Sequence, residues 1–273
     1  MAETGIVSTG GIEMEYFKFG SGNRIFTIIP GLSIKSVIGV KEAVEEGFGF
    51  MKEDFTFYVF DRKKDIPQGY TVYDMADDTA AVMKELGLRD TYMFGASQGG
   101  MIAMAIAVRY PELVKKLALG STSAHVKPEQ SQVIEKWIEL AGAGKKEELY
   151  QEFGRQIYPP AVYEQFRDYF SQEAKTVTDK DLERFIICAK AAKDYDLSSK
   201  LDKIDCPTLA LGAFEDSVLD SDATMEIAEK LDHRPDFALY MYTGYGHAAF
   251  DTAPDYRQRV YDFFMKEAKD PGQ

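Results

Sequence analysis

The segment from Thr91 to Val108 constrains the fold most, because two apolar runs flank a turn rich in glycine. The first run, Thr91 to Gly95, has the β-branched and aromatic residues that are typical of a strand. The second run, Met101 to Val108, is apolar nearly all round, which a helix tolerates only if it is buried on most sides. The segment therefore predicts a buried unit of strand, turn and helix.

Short β-branched and aromatic runs alternate with segments of helical period along much of the chain. This alternation predicts a mostly parallel, twisted sheet flanked by helices. The predicted strands are Glu13–Phe19, Arg24–Pro30, Phe55–Phe60, Thr91–Gly95, Leu113–Leu119, Pro207–Gly212 and Phe237–Tyr242. The predicted helices of this part are Val72–Leu86, Met101–Val108, Asp222–Leu231 and Pro254–Lys266.

The alternation is interrupted between about Val126 and Ser199, where the sequence is helical and rich in aromatic residues. Pro159-Pro160 breaks this region between helices, and Thr178 with Asp181 has the spacing of a capping box that opens its last helix. We interpret residues 126–199 as an inserted helical cap, or lid. Residues 1–125 and 200–273 then form the core, and most of the lid's aromatic side chains are expected to build its own small core, with the rest lining a pocket.

Charge and composition exclude several classes of protein. Lys and Arg number 32 against 45 Asp and Glu, so the formal net charge of −13 would repel nucleic acids and anionic lipid surfaces. No segment approaches the roughly 18 apolar residues of a membrane span, and the first residues lack the pattern of a signal peptide. Cys188 and Cys206 are too few for a disulfide framework. These features predict a soluble cytoplasmic protein with two thiols in its core.

The turn G-A-S-Q-G-G, from Gly95 to Gly100, holds Ser97 between a predicted strand and a predicted buried helix. This is the context of a nucleophile elbow, in which a sharp turn lifts a serine hydroxyl above the sheet edge. The string G-x-S-x-G occurs by chance in roughly one chain in ten of this length, so its position carries the interpretation. The bland alternative is a glycine-rich turn that only lets a helix pack closely on its strand.

A serine nucleophile needs a base, and the chain has three histidines. His233 follows a predicted helix end and is expected to face solvent, and His125 is expected to lie at the hinge of the lid. His247 lies in a glycine-bearing loop between the last predicted strand and the last helix. That loop belongs to the same carboxyl edge of the sheet as Ser97, where open α/β sheets bind ligands. We therefore predict that His247 is the base.

The acid that orients the histidine is predicted in the loop after the strand Pro207–Gly212. Asp216 is preferred because a short loop separates it from the strand. Glu215 is adjacent and remains an alternative, and Asp220 is also near.

The order Ser97, Asp216, His247 and the run from Gly95 to Leu119 resemble the α/β-hydrolase superfamily, and the resemblance covers essentially the whole chain. It implies an α/β-hydrolase fold with a cap and an oxyanion hole made by two backbone N–H groups, those of Gln98 and Leu32. Relatives often have His-Gly where this chain has Pro30-Gly31. The residues beginning at Asp61, D-R-K-K-D-I-P-Q-G, are interpreted as a long charged loop.

These features together predict a serine hydrolase that acts on a small acyl substrate, most simply a carboxylic ester. Hydrolysis of a carbon–carbon bond, a thioester or an amide and acyl transfer all use the same triad, so they stay open. A ligand receptor or scaffold with a vestigial triad is the alternative outside enzymes. The expected partner is a small acyl compound, with no nucleic acid, cofactor or metal; the oligomeric state is left open.

Overall fold

Eight strands and ten α-helices follow one another in the computed structural model, which describes residues 1–267. Residues 268–273 of the predicted second core segment lie outside this range. The strands are β1 Glu3–Thr9, β2 Ile12–Gly20, β3 Arg24–Ile29, β4 Phe55–Lys63, β5 Thr91–Ala96, β6 Val114–Gly120, β7 Thr208–Ala213 and β8 Phe237–Tyr242. The helices are α1 Lys41–Phe48, α2 Val72–Glu85, α3 Gln98–Arg109, α4 Pro128–Gly142, α5 Lys146–Ile157, α6 Pro160–Ala174, α7 Asp179–Lys193, α8 Asp220–Leu231, α9 Ala249–Thr252 and α10 Tyr256–Met265.

The strands form one sheet in the order β1-β2-β4-β3-β5-β6-β7-β8. The pairs from β4 to β8 are parallel, whereas β1 with β2 and β2 with β4 are antiparallel. The predicted mostly parallel sheet flanked by helices is confirmed. The short turn Gly20–Asn23 does not make β2 and β3 neighbours, because β4 lies between them.

Both faces of the sheet are covered, because successive strand residues point to opposite sides. On β5, Met93 belongs to the core beneath α2, α3 and α8, while the next residue, Phe94, belongs to the core beneath α1 and α10. The second core is aromatic, with Phe26 and Phe57 stacked at 4.7 Å between ring centroids. Helix α3 is enclosed: its residues from Gln98 to Ala107 are all buried. The buried unit of strand, turn and helix therefore occupies the middle of the sheet.

Helices α4 to α7 lie between β6 and β7 in the chain. Thr178 caps α7 as its spacing predicts: its hydroxyl accepts a hydrogen bond from the Asp181 N–H at 3.1 Å, and the Asp181 carboxylate accepts the Thr178 N–H at 2.8 Å. Pro159 and Pro160 separate α5 from α6. His125 lies at the base of this helical segment, where it forms an isolated β-bridge with Asp196.

Every helix within residues 1–267 is too short or too polar to cross a lipid bilayer. Both cysteines are free thiols; Cys188 is buried on α7 and Cys206 is partly exposed before β7.

Candidate active site

Ser97 lies at the turn between β5 and α3 with φ at 53° and ψ at −126°. This conformation is sterically unfavourable for a residue with a side chain, and such strain is concentrated at functional sites. Two hydrogen bonds hold the backbone there: Ser97 N–H donates to Gly120 O at 2.8 Å, and Thr122 Oγ1 donates to Ser97 O at 2.7 Å. The Ser97 hydroxyl does not cap α3, so it is available for chemistry.

The glycines around Ser97 allow close backbone contacts. A Cβ atom on Gly95 would lie 2.4 Å from Gly99 O, and one on Gly99 would lie 1.9 Å from Ile29 O. Both distances are far below van der Waals contact, so a side chain at either position would force the turn apart. The turn needs glycine because α3 starts directly against β3 and β5.

The loop after β3 passes close to Ser97. A Cβ atom on Gly31 would lie 3.2 Å from Ser97 Cβ and 3.8 Å from Ser97 Oγ. The next residue, Leu32, and the first residue of α3, Gln98, line the same cavity as Ser97. Within residues 1–267, neither backbone N–H of these two residues donates a hydrogen bond. Free N–H groups at a helix start and a neighbouring loop are suited to bind a developing negative charge.

Asp216 and His247 form a buried pair on the loops after β7 and β8. The His247 Nδ1–H donates to Asp216 Oδ2 at 2.8 Å, because an ionised carboxylate can only accept. The other oxygen, Asp216 Oδ1, accepts the N–H groups of Val218 at 2.8 Å and Leu219 at 3.0 Å. These bonds fix the carboxylate, which in turn fixes the ring so that Nε2 is the nitrogen left to act as a base.

The other candidates lie elsewhere. Glu215 is exposed, and its carboxylate accepts the Gly244 N–H at 2.7 Å rather than approaching His247. Asp220 is partly exposed and accepts the Asp222 N–H. His233 is exposed beyond α8, and His125 lies beside Glu226 at 3.6 Å.

Ser97 and His247 line one cavity of about 200 Å³. Most of its other walls are apolar: Met101, Ile134, Trp137, Phe153, Ile157, Ala192, Val218, Leu219 and Phe250. Trp137 and Phe153 are aromatic residues of α4 and α5, and their rings lie 4.6 Å apart between centroids. Other aromatic residues of the helical segment pack on one another, as Tyr163 and Phe166 do on Phe170. The helical segment therefore covers the cavity, and the edge of the sheet forms its base.

The prediction that Asp61 opens a charged loop is wrong. β4 continues to Lys63, and Asp61 and Arg62 are both 7% exposed. Each charged group has a partner: Asp61 pairs with Arg184 from α7, and Arg62 donates to Pro30 O at 2.7 Å and to Gln98 Oε1 at 3.2 Å. Arg184 and Gln98 are far from Asp61 and Arg62 in the sequence, so composition cannot identify them as partners. From the sequence alone, a run of charged residues is expected to face solvent. Sequence reasoning therefore missed these residues beside the site.

A sequence model of the α/β hydrolase fold matches residues 60–153 of the chain. The superfamily protein YisY of Bacillus subtilis is 28% identical over 221 residues, which cover 77% of this chain and 79% of YisY. The crystal structure of MGS-M2, an α/β hydrolase enzyme from a Medee basin deep-sea metagenome library, superimposes with a TM-score of 0.86 at 21% identity, covering 98% of this chain and all of MGS-M2. The chain has the α/β-hydrolase fold.

A second solved structure of this fold is the enol-lactonase of Burkholderia xenovorans, with a TM-score of 0.82 at 17% identity. The match covers 96% of this chain and all of the lactonase.

Proposed function

We infer that this α/β-hydrolase is a serine hydrolase that cleaves a carboxylic ester of a small acyl group. The single observation that carries this proposal is that Ser97 and His247, whose ring is bonded to Asp216, line one largely apolar cavity. A nucleophile, a base and a fixed carboxylate at one site are the parts that acyl transfer to water requires. The likeness to an enol-lactonase, named for cleaving a cyclic ester, agrees with this reaction class.

In the proposed reaction, His247 Nε2 takes the proton of the Ser97 hydroxyl while Ser97 Oγ attacks the carbonyl carbon of the ester. The N–H groups of Gln98 and Leu32 hold the oxyanion that forms on the carbonyl oxygen. The tetrahedral intermediate collapses, the carbon–oxygen bond to the alcohol breaks, and the imidazolium returns the proton to the leaving alkoxide. Asp216 stabilises that imidazolium without taking its proton.

Water completes the cycle in the proposed mechanism. His247 removes a proton from water as its oxygen attacks the acyl-enzyme, and then protonates Ser97 Oγ as the carboxylic acid leaves. The helical segment, residues 126–199, acts as a cap in this proposal, because Trp137 and Phe153 close the cavity above Ser97. An apolar roof binds an acyl chain and keeps bulk water from the oxyanion.

A panel of p-nitrophenyl esters of increasing acyl length tests this function and the cavity together. Each added methylene contributes at most about 0.8 kcal/mol until the cavity is full, or roughly fourfold in kcat/KM. We expect butanoate and hexanoate to be hydrolysed faster than acetate, with a decline for long chains that exceed the cavity. A flat or acetate-favouring profile would contradict an apolar acyl pocket.

A matched pair of variants tests whether the cavity determines the preferred acyl length. Ile134 of α4 lines the cavity, whereas Ile138, one turn further along the same helix, does not. Ile134→Phe should move the optimum to shorter acyl chains because the larger ring fills part of the volume. Ile138→Phe should leave the optimum where it is, and equal shifts in both variants would speak against this acyl site.

A further inference from the structure

A buried cluster of three charged groups lies beside the candidate active site and is not used by the proposed reaction. We call Asp61, Arg62 and Arg184 the arginine cluster. Asp61 accepts the Arg62 backbone N–H at 2.7 Å and forms an ion pair with the Arg184 guanidinium. Although burial disfavours the charge of Arg184, the Asp61 carboxylate beside it raises the pKa of that guanidinium. The opposite charges of Asp61 and Arg184 therefore offset the cost of burying each other.

The Arg62 guanidinium is compensated less, because the Asp61 carboxylate acts on it from nearby but pairs with Arg184 instead. Its partners, Pro30 O and Gln98 Oε1, are neutral acceptors, and within residues 1–267 it forms no ion pair. Its Nε–H is also buried without a hydrogen-bond partner in that range. Burial lowers the pKa of Arg62, yet arginine stays protonated in proteins. Two guanidinium groups and one carboxylate leave an excess charge of +1, which is costly to bury without an anion.

Burial raises the pKa of the nearby Tyr70 hydroxyl and keeps it neutral, so the next group near Arg62 that could carry a negative charge is Cys188. It lies on α7, and Gln98 Nε2 donates to its backbone carbonyl at 2.6 Å. Burial raises the pKa of the Cys188 thiol despite the nearby arginines, so the thiol stays neutral at neutral pH. The excess positive charge is therefore not neutralised by the cysteine.

A small cavity lies between the arginine cluster and the loop 30–33, with Gln98 and Cys188 completing its wall. It has room for about one water-sized group, which is also the size of one carboxylate oxygen. The loop 30–33 and Gln98 line both this cavity and the one that contains Ser97. The two cavities are therefore adjacent, with Gln98 and the loop 30–33 common to both.

We propose that this small cavity binds a carboxylate of the substrate, so that the enzyme acts on half-esters of small dicarboxylic acids. The inference rests on the proposed function and narrows its substrate class. A carboxylate fits better than a phosphate because it is planar, singly charged and small, so that one of its oxygens can enter a space of this size. The acyl chain then lies along the apolar cavity and its distal carboxylate meets Arg62 and Arg184.

The test compares methyl esters of equal acyl length that differ only in a distal carboxylate. Monomethyl succinate, glutarate and adipate are paired with methyl butanoate, pentanoate and hexanoate, and methanol release is followed at fixed ionic strength. We expect at least one monoester to exceed its neutral counterpart by about tenfold or more in kcat/KM, since hydrogen bonds to charged groups have this strength. The net charge of −13 acts against any anion, so such a preference requires a local site.

Arg184→Gln should lower the ratio of the two kcat/KM values by roughly ten- to a hundredfold. The matched control is Lys180→Gln on the same helix, because Lys180 pairs with the exposed Asp65 outside the cavity. The control should leave the ratio unchanged. An equal loss of preference in both variants, or no preference in the parent enzyme, would overturn the proposal.

A second measurement needs no variant of the arginine cluster. Glutarate should inhibit the hydrolysis of methyl pentanoate competitively, and much more strongly than the neutral glutaramide; equal inhibition by both would also overturn the proposal. If methyl pentanoate is hydrolysed by Ser97 without any carboxylate preference, this inference fails and the proposed function stands. If neither class of ester is hydrolysed, the proposed function itself has failed.

Discussion

Replacing Asp216 by Asn removes one charge and keeps the shape of the side chain. Its two oxygens have different partners: Oδ1 accepts the N–H groups of Val218 and Leu219, and Oδ2 accepts the Nδ1–H of His247. Asparagine has one oxygen, and the two buried backbone donors orient it toward themselves. The amide NH₂ group then faces His247 Nδ1, which must become an acceptor. The ring proton moves to Nε2, the nitrogen that should remove the proton from Ser97.

A histidine held in the wrong tautomer costs about 10⁴ in kcat in serine hydrolases with this triad. At 1.36 kcal/mol for each factor of ten, the loss of transition-state stabilisation is roughly 5.4 kcal/mol. We expect Asp216→Asn to show this loss in kcat on p-nitrophenyl butanoate, with an unchanged circular dichroism spectrum. Glu215→Gln is the control, because Glu215 contacts Gly244 and not His247. Activity of Asp216→Asn within about tenfold of the parent, or a large loss in Glu215→Gln, would refute this reasoning.

Two further predictions concern the strained turn, and both are measured by denaturant unfolding. Gly99→Ala should lower the free energy of unfolding by about 1–3 kcal/mol, because its Cβ would lie 1.9 Å from Ile29 O. The control is Gly142→Ala in α4, where a Cβ would have no neighbour within 4 Å. This control should leave the free energy of unfolding unchanged or raise it by up to ~1 kcal/mol. Ser97→Gly should be more stable than Ser97→Ala by roughly 1 kcal/mol, because only glycine adopts the φ of 53° without strain. Equal stabilities within either pair would contradict a strained elbow.

The central part of the fold could be predicted from the sequence because its signals are local. The run from Gly95 to Val108 combines glycines, a serine and an apolar helix within fourteen residues, and each step depends on near neighbours. The first strand was not predicted. Glu3–Thr9 is an edge strand with only Val7 buried, so its pattern lacks the alternation that identifies strands. Its pairing with β2 and the position of β4 between β2 and β3 depend on contacts distant in sequence.

The charged residues after β4 show a second limit. Asp61 and Arg62 were interpreted as loop residues because adjacent charges usually face water. The structure buries them, since Arg184 is supplied by a helix 123 positions further along the chain. The sequence also could not decide between Asp216 and Glu215 as the partner of His247. Sequence placed both in the loop after β7, but only the backbone N–H groups of Val218 and Leu219 distinguish the oxygen that faces His247.

The reaction of Ser97 with a fluorophosphonate tests the central claim most directly, because this reagent phosphonylates a serine only where a base and an oxyanion hole activate it. Intact-protein mass spectrometry should show one adduct, peptide mapping should assign it to Ser97, and the reaction should stop ester hydrolysis in proportion to labelling. The Ser97→Ala protein should remain folded and unlabelled. A parent protein that stays unlabelled, or an adduct that persists in Ser97→Ala, would contradict the assignment of Ser97 as the nucleophile.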